Sequence, residues 1–584
     1  MAVVDLNVNR SLVVSNFDGY KLSFDPVPVL RQELECDPVR QELAADDFSL
    51  LHAQLFDLQN HLFADPWMRH YSYFFNVRHQ LVQCRYDPLI GHADGQRVVY
   101  TMDYRDQGDG HKPNLTDYNY TLIFVSERFC VICDGRTSYH LIDTGDRSRS
   151  GPQEWQRITH TRVNSTIEFH GFILYDARLD MVKECKQISL VAGHVARRPA
   201  VGGRQTQIHF MDLTLGRWTQ SLENNEWSYS VCQSLETTGS IFYCAFEPRA
   251  ESLIIASNRE VQTREQRKIT DEAAVHAGPD AAANAVSETF ASLLENGGEA
   301  NYTWSQTIEN VVITLEVPPF TLESDFNVRC TTCTVVVEYK TQVIFTASLY
   351  SNLDPDYPEW KIRTDGLEVV LAKKEHEHWP RLLAELEGGV AEQIISFEGG
   401  QMPIPNLADP VEECDIDNDD TKMVRFNLPS GSITHTIFLS SSPLLFTTTL
   451  RPGFPAAFAT REGVDASIWL QMYQPTRPDE WSVRHEGQLH AFGYVLASKQ
   501  QRKFTGCCPD LDYVVICESC RHVIIYRPHH DSASGLRKRN GPPVTLGKQS
   551  LITMPDHTGE ILGMTTANNV ITILSKKALL HLQV

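Results

Sequence analysis

The sequence predicts an all-β protein: a β-propeller of about seven blades, built from the N- and C-terminal parts of the chain, with a small β-sandwich inserted between them. Three observations carry that prediction. Short runs of Val, Ile, Thr, Tyr, Phe and Trp, bounded by turn formers, recur through 68–258 and again from about 423 to the last residue. A cluster of about seven such runs, Asn301 to Leu383, is compact enough to close on itself as an antiparallel sandwich. Two stretches of different composition separate that cluster from the longer β regions. The expected organisation is therefore 1–265 as the N-terminal part of the propeller, 266–298 as a linker with a helix, and 299–388 as the sandwich. A helix and acidic linker follow over 389–422, and the C-terminal part of the propeller over 423–584.

Taken in order, residues 1 to about 45 read as extended, with Tyr20, Leu22 and Phe24 on one side of FDGYKLSFDPVP. Phe48, Leu51, Leu55 and Leu58 then recur at helical spacing, which fits a short helix over Asp47–Gln59; edge strands fit the stretch nearly as well. From 68 to 258, TLIFVSE, RFCVICD and the runs after them give a repeated order of strand, tight turn, strand, polar loop and Trp-led strand. That is how a four-stranded blade reads. Strict WD repeats are absent.

The segment 259–298 is polar and Ala-rich, and Ala282, Val286, Phe290, Leu293 and Leu294 lie at helical spacing between Pro279 and Gly297. In the sandwich, Val311, Ile313, Leu315 and Val317 share one face while Thr314 and Glu316 take the other, the period of a half-buried strand. Pro380 to about Ile395 reads as a further helix, with Pro in its first turn. After 423 the short-strand cadence returns and runs to the end, so the last strands are expected to complete a ring begun by the first ones.

Several motifs in the sandwich resemble a known family. Tyr302, Trp304, Gln306 and Thr307 form an aromatic-x-Trp-x-Gln-Thr strand; Leu349-Tyr350, Trp360 to Ile362, and Trp379-Pro380-x-Leu382 follow. Together they resemble the CS domain of the NudC family, a β-sandwich of the p23/HSP20 type. FDGYKLSFDPVP, VEECDI, GVDASIWLQ and AFGYVLASKQQRKFTGCCPDLDYVVICESCRHVIIYRP resemble a long member of that family, with the sandwich at the same place in the order. The resemblance implies a co-chaperone or adaptor acting with Hsp90 on protein clients, including β-propeller proteins, and it implies no catalysis. The alternative is a scaffold subunit of a trafficking or RNA-processing complex.

On either reading the aromatics Tyr302, Trp304 and Trp360 have two possible uses: filling the sandwich core, or forming an exposed face that binds a partner. Lys340, Lys361 and Arg363, on presumed neighbouring strands, would then supply charge at the rim.

Composition narrows the function classes. The formal net charge of −22 disfavours broad nucleic-acid binding, no apolar run reaches membrane-span length, and no signal-peptide core is present. Fourteen cysteines then read as reduced thiols of a protein in the cytoplasm and nucleus. Phosphate-loop, dinucleotide and nucleophile-elbow patterns are absent, so neither a cofactor nor catalytic residues are expected. Cys130 and Cys133 lie three apart on a strand and point to opposite faces, which prevents them from sharing an ion. Cys507, Cys508, Cys517 and Cys520 are the one set that could form a zinc knuckle; small buried thiols are the ordinary reading. Asp415, Asp417 and Asp419 lack the Gly and Glu of a calcium loop and read as a solvated acidic linker.

Overall fold

The computed structural model describes residues 2–13, 17–40, 49–103, 118–149, 154–163, 171–199, 207–268, most of 302–384, 394–397, 421–439, most of 444–530 and 545–584. The chain divides into a ring, made of Met1–Ala200, Arg204–Arg267 and Asp415–Val584, and an insert whose main part is Lys268–Cys414. The ring is a seven-bladed β-propeller. Blades one, two, three, five and six lie within 63–101, 121–162, 173–237, 446–489 and 502–553, each built on four successive antiparallel strands.

The other two blades are composite. Blade four pairs Ile241–Phe246 and Ser252–Ser257 with Lys422–Asn427 and Ser432–Phe438, strands from opposite sides of the insert. Blade seven consists of Ile561–Thr566, Val570–Ser575 and Ala578–Gln583, completed by Val29–Glu33 from the other end of the chain. The first strands of the blades stand side by side around the axis: Phe63–Ala64 lies beside Thr121–Phe124 and Ile561–Thr566, and Ile173–Val182 lies beside Thr121–Phe124 and Ile241–Phe246.

Strand alternation explains why so many runs read as continuously apolar. Within Phe129–Cys133, Cys130 and Ile132 pack with Tyr73 and Phe75 of blade one. Val131 and Cys133 face the other way, against Phe172, Leu174 and Trp218 of blade three. A blade buried on both faces has no polar side to alternate with.

The extended N-terminal pattern is a belt. Ala2–Val3 pairs in parallel with the outermost strand of blade four, with Ala2 opposite His435 and Val3 opposite Thr436. Val4, Leu6 and Val8 pack on the cluster around Trp469 and Trp481, and a 3-10 turn at Arg10–Leu12 passes blade five. Phe17–Ser23 then adds a parallel fifth strand to blade six along Thr545–Thr553, and the Phe17 ring stacks 4.9 Å from that of His490. Val29–Glu33 closes blade seven. One segment thus covers the outer side of four consecutive blades and protects sheet edges that would otherwise be free to pair.

The segment after the belt forms a short helix, Leu50–His52 running into Ala53–Asp57, capped by the Ser49 hydroxyl. The helix expected over 380–395 is not seen where residues are described. Leu383 makes an extended bridge to Leu349, and Ile394–Phe397 is a strand parallel to Tyr302–Gln306. The strand edge of Tyr302–Gln306 pairs with this chain, which outweighs the helix-start signal of Pro380. The expected helix around 282–294 and Asp415–Asp419 lie outside the described residues.

Candidate binding module and its attachment

The sandwich consists of a five-stranded and a three-stranded sheet. The first has the order Glu359–Arg363, Gly366–Ala372, Asn310–Leu315, Tyr302–Gln306, Ile394–Phe397; the second is Phe326–Cys330, Thr334–Tyr339, Gln342–Ser348. Val311, Ile313 and Leu315 turn inward as their period requires and meet Val335, Val337 and Phe345 from the other sheet.

The paired tryptophan motifs form a polar lock inside this core. Gln306 sits on the inner face, and its amide makes a reciprocal pair with the backbone of Trp379: Nε2 donates to the Trp379 carbonyl at 2.6 Å, and the Trp379 N–H donates to Oε1 at 2.9 Å. The same Oε1 accepts from the ammonium of Lys373 at 2.7 Å. Lys373 is almost fully buried, and it also donates to the carbonyls of Thr307 (2.9 Å) and Glu377 (2.8 Å) while its Nζ lies 5.4 Å from the Trp379 ring. Burial pushes its pKa below the ordinary lysine range, and the Glu377 charge opposes that shift. A buried ammonium without acceptors would be strongly unfavourable; three oxygens and an aromatic face supply the compensation. Gln306 and Lys373 were absent from the sequence-based set. The signal was a glutamine in phase with Trp304 on an inward face, where only a satisfied polar group is tolerated.

The partner-binding residues inferred from sequence do not form one surface. Trp304 is 1% exposed and belongs to the core, so it offers nothing to a partner directly. Tyr302 lies at the core margin with its ring 4.9 Å from that of Phe345. Trp360 is half-buried on the same inner side, opposite Val369, and Lys361, the next residue, is exposed and in register with Glu368. Arg363 ends that strand in register with Gly366. Lys340 is not on a neighbouring strand. It occupies the tight turn between Thr334–Tyr339 and Gln342–Ser348 in the other sheet, with φ 45° and its Nζ 5.0 Å from the Tyr339 ring. The strands separate into two sheets, and that separation divides the expected cluster.

The ring segments on either side of the insert are each held by ion pairs within the ring. On leaving blade four, Gln262–Thr263 pairs with the outermost strand of blade three, and a helix begins at residue 264. Arg264 binds the buried carboxylates of Asp212 and Glu236, and Arg267 and Arg198 reach Glu236 at 2.6 Å each. On re-entry, Arg425 makes a buried two-pronged pair with Glu247, Nε to Oε1 at 3.0 Å and Nη2 to Oε2 at 2.9 Å. Glu247 precedes the insert and Arg425 follows it, so this pair fastens the blade across the interruption.

Metal and channel chemistry were also open from the sequence. Cys507 is in register with Val514, and Cys517 lies three residues further along that strand, about 10 Å away at strand rise. Cys507–Cys508 and Cys517–Cys520 therefore sit toward opposite ends of one hairpin and do not form a knuckle. Among the described residues no group of three or more His, Cys, Asp or Glu is placed to hold a metal ion. A cavity of about 470 Å³ among the innermost strands has several threonines in its lining, including Thr447, Thr449 and Thr505. The charged groups on its wall are Asp65, bound by Arg147 at 2.6 Å, and Arg69, which bonds Asp510, Asn568 and the Leu450 carbonyl.

This architecture defines a class: a propeller with a β-sandwich set into one of its blades. Residues 300–373 match the family described as the CS domain, so the inserted sandwich is a CS domain. The chain as a whole is similar to NudC domain-containing protein 1 of Xenopus laevis, 26% identical over 98% of this chain and 97% of the relative. It is likewise similar to NudC domain-containing protein 1 of Mus musculus, 24% identical over 99% and 98%. Among solved structures, a nuclear movement protein from E. cuniculi matches 14% of this chain and 99% of its own at 26% identity and TM-score 0.13. The β-propeller domain of Cps50 (Swd1) from Myceliophteria thermophila matches 95% of this chain and 100% of its own at 7% identity and TM-score 0.35. The blade count rests on the sheet order itself.

Proposed function

We propose that this protein is a non-enzymatic co-chaperone or adaptor, in which the CS domain supports Hsp90-linked folding or assembly of protein clients, β-propeller proteins among them. The observation that carries this reading is a CS domain set between two hydrogen-bonded strands of a propeller blade. Similarity to NudC domain-containing protein 1 over nearly the full chain supports it. The insert lies in the chain between two paired strands of one blade, so partners of the ring and of the CS domain would be tethered through one chain, which raises their effective concentration. The working compartments on this reading are cytoplasm and nucleus.

Cross-linked affinity purification of the full chain, beside a variant lacking 299–388, tests the proposal. An Hsp90-type chaperone is expected with the full chain, in a nucleotide-sensitive and substoichiometric manner, and is expected to be lost with the deletion while ring-bound partners persist. If neither such a chaperone nor a propeller protein is enriched, and the deletion changes no partner, the reading fails.

A further inference from the structure

At the rim of blade one, two unusual features meet. The first is a crevice of about 130 Å³ between blades one and two, whose charged lining is Arg85, Arg97, Arg147, Arg149 and a single carboxylate, Asp94. The guanidiniums come from different directions: Arg85 from Gln80–Asp87, Arg97 from Arg97–Thr101, and Arg147 and Arg149 from the turn after Ser138–Asp143 of blade two. Tyr71 and Trp155 form aromatic walls. Arg147 is a fixed floor, because its donors are taken by Asp65, Thr144 and the Ser126 carbonyl. Arg149 is exposed and Arg85 half-buried over the Tyr71 ring, and their ion pairs lie at the surface, Arg85 with Asp94 and Asp87 at 3.2 and 3.6 Å and Arg149 with Asp146 at 3.0 Å. Such pairs exchange readily for a stronger anion.

The second feature is apolar. Leu89 and Ile90, at the tip of the adjoining hairpin, are 92% and 72% exposed. They are joined to the crevice through Asp87, which pairs with Arg85 and accepts the Leu89 N–H at 3.0 Å.

We propose that this rim is a docking site for a phosphorylated segment of a protein partner, with the phosphate in the arginine crevice and an adjacent apolar side chain on Leu89 and Ile90. The volume is that of about four waters, which suits one tetrahedral oxyanion. The exchangeable guanidiniums of Arg85 and Arg149, approaching from different blades beside the fixed positive charge of Arg147, match a dianion with three free oxygens better than a planar carboxylate, which one fork satisfies. In a chain of net charge −22, such a cluster is where an anion would be drawn. The exposed leucine and isoleucine point to a protein source, since a free ion has no use for them.

The test is titration of the full chain with a degenerate phosphoserine peptide library, its serine parent and inorganic phosphate, followed by the same titrations of two double variants. The phosphopeptides are expected to bind saturably, and Arg85→Gln/Arg149→Gln to weaken them about tenfold or more, the loss of charged contacts. Leu89→Ser/Ile90→Ser is expected to weaken the peptides severalfold and leave inorganic phosphate unaffected. Serine and phosphoserine libraries that bind alike, no saturable binding, or binding indifferent to the arginine variant would overturn the site. Inorganic phosphate held as tightly as the peptides, or peptides indifferent to the Leu89/Ile90 variant, would overturn its assignment to a protein segment.

Discussion

The CS sandwich and the interrupted blade both bring together residues far apart in the chain, and they hold them by different chemistry. In the sandwich the partners are 73 residues apart, and the lock is a neutral amide answering a backbone, with one ammonium satisfied by oxygens. In blade four the partners are 178 residues apart, and the lock is a buried carboxylate and guanidinium. A neutral amide pair tolerates imperfect surroundings. A buried ion pair does not, because removing either member leaves an uncompensated charge. The small module is thus held mainly by apolar packing around a polar pin, while the ring is held across its interruption by a contact that needs both halves.

The first way to test this contrast is Trp379→Ala. Loss of a fully buried indole is expected to destabilise the sandwich by about 4 kcal/mol, a large share of so small a module's stability. Calorimetry should show the sandwich transition lost or strongly lowered and the ring transition retained; loss of both would mean the two units are not held separately. Next comes Glu247→Gln, expected to weaken the ring by about 3 kcal/mol by stranding Arg425. The double variant Glu247→Leu/Arg425→Met should recover most of that in urea unfolding. Equal losses in the single and double variants would refute the pairing.

The smallest expected effect concerns pH. Burial, with Lys503 and Arg40 nearby, holds the buried imidazole of His61 near pKa 4 against an ordinary 6.5, and Glu560 opposes the shift. Between those values the unfolded chain binds more protons than the ring, so stability falls as pH drops through that window and is level above it. From pH 7 to pH 5 the loss from this group is about 2 kcal/mol. In His61→Gln the ring's thermal midpoint should fall less over the same range; an unchanged slope would show that His61 binds protons alike in the folded ring and the unfolded chain.

How much of this was legible in the sequence follows from the range of each interaction. The strands of both units announced themselves by period and turns, because Val311, Ile313 and Leu315 obey a local geometry. The CS motifs were legible for the same reason, but their meaning was not: Trp304 could be read as surface or core until the fold placed it inside. Lys340 was misplaced because pattern alone does not say which strands share a sheet. The Glu247–Arg425 pair left no trace, since neither residue is unusual where it stands and only the pairing of Ser252–Ser257 with Lys422–Asn427 brings them together. The belt was visible as extended chain, whereas its partners, Ser432–Phe438, Thr545–Thr553 and Ala578–Gln583, could not be chosen from sequence.

That belt sets a timetable for biogenesis. Residues made early wait for strands made much later, and Val29 finds its partner Leu582 only after the chain between them has been made. At roughly 5–20 residues per second, the stretch from Val29 to Leu582 takes about half a minute to two minutes to emerge. Through that interval the early blades present open edges and unburied faces that ring closure later covers. The CS domain has its strands hundreds of residues nearer to one another, and it is complete well before the ring that carries it.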